Sequence, residues 1–344
     1  MDSLQISTMS GILLSENVLH QSSLRHFMVD HLLSIDDVAD DFADILRWAI
    51  ALKQDTELSD DFKPLDGLSI GSIYEKPSTR TRVSFETGIH KLGGQPLTLL
   101  KGDIQLGKSE TIADTAQVLS RYLDAMTYRC FAHSDVEELA AHSQVPVINA
   151  LSDKHHPCQA AADFMTMMEK DSEFKNTRVA WVGDGNNVLH DLILGCAILG
   201  IDCTWAVPEG YEPDDDVVSK AMEIADGSGA ELRQTHDPVD AVSEATIIYT
   251  DVFVSMGEED QVDKIDDFKG FQVNMKLLEN ADSDWSFMHC LPAHRGDEVT
   301  DEVMDHEQSI VFDQAENRMW AQMSVLTYFC DSGAWETWAE FLDL

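Results

Sequence analysis

The chain predicts an α/β fold with parallel sheets, and three observations predict it. Short apolar runs of strand length recur along the sequence. Between them lie segments whose apolar residues return at helical spacing, and such alternation argues for helices layered on a parallel sheet. The length of 344 residues and a hydrophobic content of 44% are enough for two domains with real cores.

Residues 1–23 show no clean periodicity and read as an N-terminal extension. Ser34 precedes Asp36 and Asp37, acids suited to a first helical turn. Val38, Phe42, Ile45, Leu46, Ala49 and Ile50 then recur at helical spacing to about Gln54. Run 68–74 reads as a buried strand. A loop, Glu75-Lys76-Pro77-Ser78-Thr79-Arg80-Thr81-Arg82, leads into a helix with Val83, Phe85, Ile89 and Leu92 on one face, closed by Gly93-Gly94. Pro77 discourages an earlier helix start, and Ser78 or Thr79 can cap. A strand at 95–100, a polar loop at 103–111 and a helix at 112–122 follow. Strands at 125–131 and 145–150 flank a helix beginning at Ser134-Asp135, and another helix starts at His156.

The second half opens with a strand at 178–183 that runs into Gly183-Asp184-Gly185-Asn186-Asn187-Val188. A helix at 187–199 stops at Gly200. Strands are expected at 203–207, 245–250, 286–289 and 309–313, with a helix at 214–225. The last helix, to about Leu344, carries Trp320, Leu326, Tyr328, Phe329, Trp335, Trp338 and Phe341, which read as core packing.

Charge narrows the function classes. With 23 Lys+Arg against 63 Asp+Glu, the formal charge of −40 argues against nucleic acid or an anionic membrane as partner. No apolar stretch reaches the ~18–20 residues a membrane span needs. No basic segment followed by an apolar core marks a secretory leader, and six cysteines without a Cys-x-x-Cys pair fit a reducing cytosol. The acids are spread in pairs and triplets, such as Asp40-Asp41, Asp214-Asp215-Asp216 and Glu258-Glu259-Asp260, which reads as surface. Self-repulsion at this charge is screened in molar salt, so adaptation to high salt is expected over a merely acidic cytosolic enzyme.

The loop at 75–82 gathers donors around one helix start. Free N–H groups and the helix dipole suit an anion there. Ser78, Thr79 and Thr81 add hydroxyls, and Arg80 adds a fork that can hold two phosphate oxygens. Scarce cations clustered at this point favour a small phosphorylated ligand over a plain cap with solvated arginines. Further on, His156 and Gln159 stand three positions apart at a helix start and face one side. A metal reading of His155-His156 lacks a third ligand. Gly183-x-Gly185 has Val188 where a dinucleotide fingerprint wants a third glycine, which leaves only Glu209 as a possible ribose ligand.

The run Ser78-Thr79-Arg80-Thr81-Arg82 resembles the carbamoyl-phosphate loop of the transcarbamoylases, and the rest of that pattern follows in order. It continues through Gln105, Arg129, His156-Pro157-Cys158-Gln159, Asn187, Asp251-Val252-Phe253-Val254-Ser255-Met256-Gly257, His289-Cys290-Leu291-Pro292 and Glu316-Asn317-Arg318. Over roughly residues 24–344 the chain is identified as a member of the aspartate/ornithine transcarbamoylase family, on its ornithine branch. The resemblance implies two α/β domains, each with a central parallel sheet, joined by two linking helices. Residues 24–155, with the returning helix 322–344, would bind carbamoyl phosphate, and 156–321 would bind ornithine. It implies a homotrimer or a larger assembly of trimers with sites between subunits, no metal and no organic cofactor.

By the same resemblance, Ser78, Thr79, Arg80 and Thr81 grip carbamoyl phosphate, with Gln105 reaching a neighbouring subunit's site. Arg129, His156, Gln159, Cys290, Leu291 and Arg318 complete that set. Asn187, Asp251, Ser255 and Met256 hold L-ornithine. Arg129, His156, Asp251 and Cys290 carry the catalysis, Cys290 as a thiolate that cations such as Arg318 would favour. An acid in the second-substrate loop suits an α-ammonium group, where a dicarboxylate would need cations. A sister enzyme acting on putrescine or an acylated amine, a nicotinamide dehydrogenase and a catalytically silent binding protein are the alternatives.

Overall fold

Two parallel sheets organise the molecule. The computed structural model describes residues 30–55, 61–254, 264–331, 333–335 and 337. In the first half α1 (Phe42–Gln54) precedes β1 (Ser69–Tyr74), α2 (Arg80–Lys91), β2 (Gln95–Leu100), α3 (Ile112–Leu119), β3 (Ala125–Arg129), α4 (His133–His142) and β4 (Val147–Leu151). These strands pair in the order β2-β1-β3-β4, all parallel. α5 (Pro157–Lys170) leads to β5 (Arg178–Val182), α6 (Asn187–Leu199), β6 (Asp202–Ala206), α7 (Asp215–Ser228), β7 (Leu232–Thr235), β8 (Ile247–Thr250) and β9 (Ser286–His289). Their order is β7-β6-β5-β8-β9, again all parallel. α8 (Val311–Cys330) follows.

Each sheet reverses its direction of winding once, and the strand ends at such a reversal leave a crevice. In the first sheet the reversal lies between β1 and β3, past Tyr74 and Arg129. In the second it lies between β5 and β8, past Val182 and Thr250. The loops that follow these four strand ends line one cleft.

Two helices tie the halves together. Pro157 supplies the fixed φ that opens α5, and every residue from Pro157 to Met168 is buried. A helix buried all round must be covered by neighbours, and α1, α6 and α8 pack on it. Gly195 of α6 permits a close approach to α5, since a Cβ there would lie 2.1 Å from the Phe164 ring. α8 also packs on α1 and α2. One apolar cluster therefore runs from Phe42 and Phe85 through Phe164 to Trp181 and Tyr249.

Several expectations are corrected. The helix expected from Ser34 to Gln54 is split into a 3-10 turn, Ile35–Val38, opened by a Ser34/Asp37 capping box, and α1. Val83 is 56% exposed while Phe85, Ile89 and Leu92 are buried, so the buried face of α2 is narrower than its apolar pattern. Thr79 is the N-cap of α2, but its helical backbone (φ −87°, ψ −59°) makes no side-chain capping bond, because capping geometry needs extended φ/ψ. The strand expected at 309–313 is a single bridge from Ser309 to Phe287. There Asp313 and the helix formers after it win, and α8 begins at Val311. α8 ends at Cys330 with Asp331 as C-cap; 333–335 and 337 are helical again, and the rest of the helix expected to Leu344, with Trp338 and Phe341, lies outside the described residues. β7 was not foreseen: Leu-Arg-Gln-Thr is an edge strand, half exposed and polar as edges tend to be. Of the acidic runs, Asp37, Asp40, Asp61, Asp214–Asp216, Asp266 and Asp267 are exposed, whereas 258–260 lie outside the described residues. No described helix is long and apolar enough to cross a membrane.

Candidate active site

The cleft measures about 1380 Å³ and is divided in character. On the first-sheet side the loop after β1 is anchored by Glu75, which accepts from Phe131 N (3.1 Å) and Lys101 Nζ (3.0 Å). Ser78, Thr79, Arg80 and Thr81 then line the cleft at the start of α2. Thr81 is buried, and its Oγ1 lies 3.4 Å from both Arg129 Nη1 and Arg318 Nη2. Arg129 comes from the end of β3 and Arg318 from α8.

Two buried guanidiniums converging on one hydroxyl are costly. Burial, and then the neighbouring Arg318, lowers the Arg129 pKa to about 10. Burial lowers that of Arg318 as well. Such an arrangement holds positive potential that an entering anion would relieve.

His156 is the N-cap of α5, and its backbone N–H donates to Asp191 Oδ2 (2.5 Å). Burial, then Arg318 and Arg129, pushes its imidazole well below the ordinary value. The neutral imidazole is therefore favoured. Gln159, one turn on, accepts from Arg318 Nη1 through Oε1 (2.5 Å) and donates through Nε2 to Asp163 (2.7 Å). Burial raises the Asp163 pKa to about 7.

The second-sheet side is organised around one carboxylate. Asn186 caps α6 by accepting from Val188 N (3.0 Å) and Leu189 N (3.3 Å). That fixes its Nδ2, which donates to Asp251 Oδ2 (2.9 Å). Cys290 Sγ donates to Asp251 Oδ1 (2.9 Å). Burial of the sulfur, reinforced by Asp251, pushes the thiol pKa well above its ordinary value, and the opposing pull of Arg318 is weaker. The expected thiolate is thus corrected: Cys290 is a protonated donor. Behind it His289 Nδ1 accepts from Leu291 N (2.9 Å), so Nε2 carries the proton given to Glu298 (3.1 Å). Leu291 adopts φ +59° before a cis bond to Pro292. Ligand atoms of Asp251, His289 and Cys290 lie within 4.8 Å of one another. All three are engaged in the hydrogen bonds just given.

The residues expected from the sequence fall as follows. Ser78, Thr79, Arg80, Thr81, Arg129, His156, Gln159, Asn187, Asp251, Cys290, Leu291 and Arg318 all line the cleft. Asn187 spans it, donating through Nδ2 to Ser152 O (2.6 Å) beyond β4. Gln105 is exposed on the loop after β2, bonded to Ser109 Oγ (2.8 Å), and is not part of this chain's own cleft. Ser255 and Met256 lie outside the described residues. Gly185 has a packing reason: a Cβ there would lie 2.4 Å from Pro213 N, so the 211–213 backbone occupies the space above it.

The sequence reading passed over Asn186, Asp163 and Asp191. Asp191 holds Ile35 N (2.9 Å), His156 N and His155 Nδ1 (3.3 Å), joining three segments. Its signal was legible as a lone acid inside the apolar run 188–197. Asn186 was legible as a good N-cap.

Residues 30–169 match the family model described as the aspartate/ornithine carbamoyltransferase carbamoyl-P binding domain, and 175–329 match the Asp/Orn binding domain of the same family. The chain belongs to the aspartate/ornithine carbamoyltransferase family. Within it, the ornithine carbamoyltransferase of Oceanobacillus iheyensis is 50% identical over 299 residues, 87% of this chain and 93% of that protein. The anabolic ornithine carbamoyltransferase of Pyrococcus furiosus is 51% identical over 294 residues, 85% and 93%. A solved ornithine carbamoyltransferase from Pyrococcus furiosus superposes with a TM-score of 0.85, covering 89% of this chain and 98% of that one at 48% identity.

Proposed function

We propose that this protein transfers the carbamoyl group of carbamoyl phosphate to the δ-amine of L-ornithine, giving L-citrulline and phosphate. The observation that carries the reading is the divided cleft. Hydroxyls and guanidiniums gather on one wall, and Asp251 with its two neutral donors, Asn186 and Cys290, stands on the other.

Ser78, Thr79 and Arg80 would hold the phosphate, joined by Gln105 of a neighbouring subunit in a homotrimer. Thr81, Arg129 and neutral His156 would donate to the carbonyl oxygen, where negative charge gathers as the uncharged δ-nitrogen attacks the carbon. Arg318, Cys290 and Leu291 border the same group, and Gln159 would accept from the carbamoyl amide. Asp251, Asn187, Ser255 and Met256 would fix ornithine, with Asp251 taking its ammonium group. The C–N bond forms, the C–O bond to phosphate breaks, and the surplus nitrogen proton has an acceptor in the leaving phosphate. Each oxyanion donor of this kind is worth about 10²–10³ in rate. Closure of the two halves would turn the encounter into a local step.

The domains would divide at about residue 155, with 24–155 and the returning C-terminal segment on the carbamoyl-phosphate side and 156–321 on the ornithine side. The exposed acids support a cytoplasmic enzyme adapted to high salt, whose melting temperature climbs steeply from low to molar KCl; a flat or falling curve removes that part. The deciding experiment is citrulline formation from carbamoyl phosphate and ornithine at several KCl concentrations. Carbamoylation of putrescine or an acylated amine instead, or no product at any salt, would overturn the reading. Sedimentation tests the trimer.

A further inference from the structure

Asp163 has no part in the reaction as just described. It is fully buried on α5, beneath the cleft. Its Oδ1 accepts from Gln159 Nε2 and from Gln314 Nε2, both at 2.7 Å, and its Oδ2 accepts from the Tyr249 hydroxyl at 2.9 Å. Gln314 Nε2 also lies 3.0 Å from that hydroxyl, and Gln314 Oε1 accepts from His289 N (2.9 Å). Donors from α5, α8 and β8 thus converge on one side chain.

The consequence falls on Gln159, which lies between Asp163 and Arg318. A carboxylate oxygen only accepts and a guanidinium only donates. The Gln159 amide therefore has one orientation, NH₂ toward Asp163 and carbonyl toward Arg318 and the cleft. A carbonyl oxygen there can accept from the N–H of a carbamoyl group. It offers nothing to the methyl of an acetyl group of the same shape. A reversed amide would set its NH₂ against the Arg318 donors and against the substrate's own N–H.

We propose that Asp163 is the positioning residue for donor specificity: by holding the Gln159 amide in one orientation, it makes the site select a carbamoyl group over an isosteric acetyl group. This rests on the functional reading above. A site built to receive a hydrogen bond rejects the analogue that lacks it, because its buried polar group is left unpaired.

The test uses two phosphonates that differ only in that group, phosphonoacetamide and acetonylphosphonate, with inorganic phosphate as the control, each measured by equilibrium binding to the full chain. Wild type should prefer phosphonoacetamide by about 10-fold or more, the factor one buried hydrogen bond carries. Asp163→Leu should bring the ratio close to one and leave phosphate affinity within about threefold, as for a site with no shared partner. Asp163→Asn should keep the preference, since its Oδ1 still faces two NH₂ donors while its NH₂ faces a hydroxyl that can accept. Gln159→Ala and Gln159→Ala/Asp163→Leu should share one ratio, since Asp163 acts only through Gln159.

The inference is overturned if wild type shows no preference, if Asp163→Leu keeps it, if all three ligands weaken together, or if Asp163→Asn loses it. Should the leucine variant not fold, Asp163→Ala takes its place with the same expected loss of preference. Citrulline formation by wild type is scored separately. Its absence removes the functional reading, whereas an active enzyme with an unchanged ratio in Asp163→Leu removes only the role given to Asp163.

Discussion

The two walls of the cleft are made in opposite ways. The first-sheet wall takes most of its donors from one short stretch, Ser78 to Thr81, and concentrates cations at a cost. Arg129 and Arg318 are buried together, and each is held below its ordinary pKa. The second-sheet wall is assembled from strand ends far apart in sequence: Asn186 and Cys290 reach Asp251 across 65 and 39 positions. It surrounds a single carboxylate with neutral donors and keeps the neighbouring thiol protonated. One wall is a strained positive surface suited to an anion, and the other is a satisfied negative point suited to an ammonium group. On a chain of formal charge −40, that division is a local arrangement set against the overall field.

The comparison breaks most visibly at Arg80, which is only half-buried, so its loss spares the fold. Arg80→Ala should lower kcat/KM for carbamoyl phosphate by about 10²–10³. Because the walls share few partners, the KM for ornithine should move by less than about threefold. Steady-state kinetics with each substrate varied in turn would show it, and equal damage to both constants would mean that the walls are not independent.

Asp251→Asn tests the other wall. Losing a charge-assisted partner should weaken ornithine by about 10- to 100-fold, with phosphate affinity unchanged. There is a second readout. Asp251 is one of the groups that raise the Cys290 pKa. Its neutralisation should bring that pKa down, so alkylation by iodoacetamide should begin at lower pH than in wild type. An onset that stays put or moves up would mean that burial alone governs the thiol.

How much of this was legible in the sequence follows the same divide. Ser78 to Arg82 could be read directly, because a helix start and its donors are local and the apolar run before them marks the strand end. The strand–helix alternation was legible for the same reason, and it failed where a strand is polar (Leu232 to Thr235) or where an apolar triplet opens a helix (Ile310 to Phe312). The second wall was reachable only through the family pattern, since nothing local to Asp251 announces Asn186 or Cys290 as its partners. The state of Cys290 was misread for a physical reason: Arg318 is near enough to lower the thiol pKa, but burial and Asp251 outweigh it. That balance belongs to three dimensions.

A smaller effect sharpens the point. If Cys290 serves as a neutral donor to Asp251, a serine hydroxyl can replace it. Cys290→Ser should then cost less than about 10-fold in kcat/KM, the scale of one neutral hydrogen bond made slightly worse. A loss of several orders of magnitude would restore the thiolate role.

The smallest expected effect separates the walls from the field around them. At low ionic strength the chain's negative field repels a phosphate dianion and attracts an amino acid of net positive charge. The Debye length falls from roughly 10 Å at 0.1 M salt to about 3 Å at 1 M, so that field fades while contacts within the cleft are screened far less. Raising KCl from low values should therefore lower the KM for carbamoyl phosphate and raise that for ornithine, each by a few fold. Opposite slopes would assign the salt dependence to the surface acids. If both constants instead rise together, chloride is competing for the Arg80 and Arg129 wall, and the long-range field is not what limits capture of the phosphate.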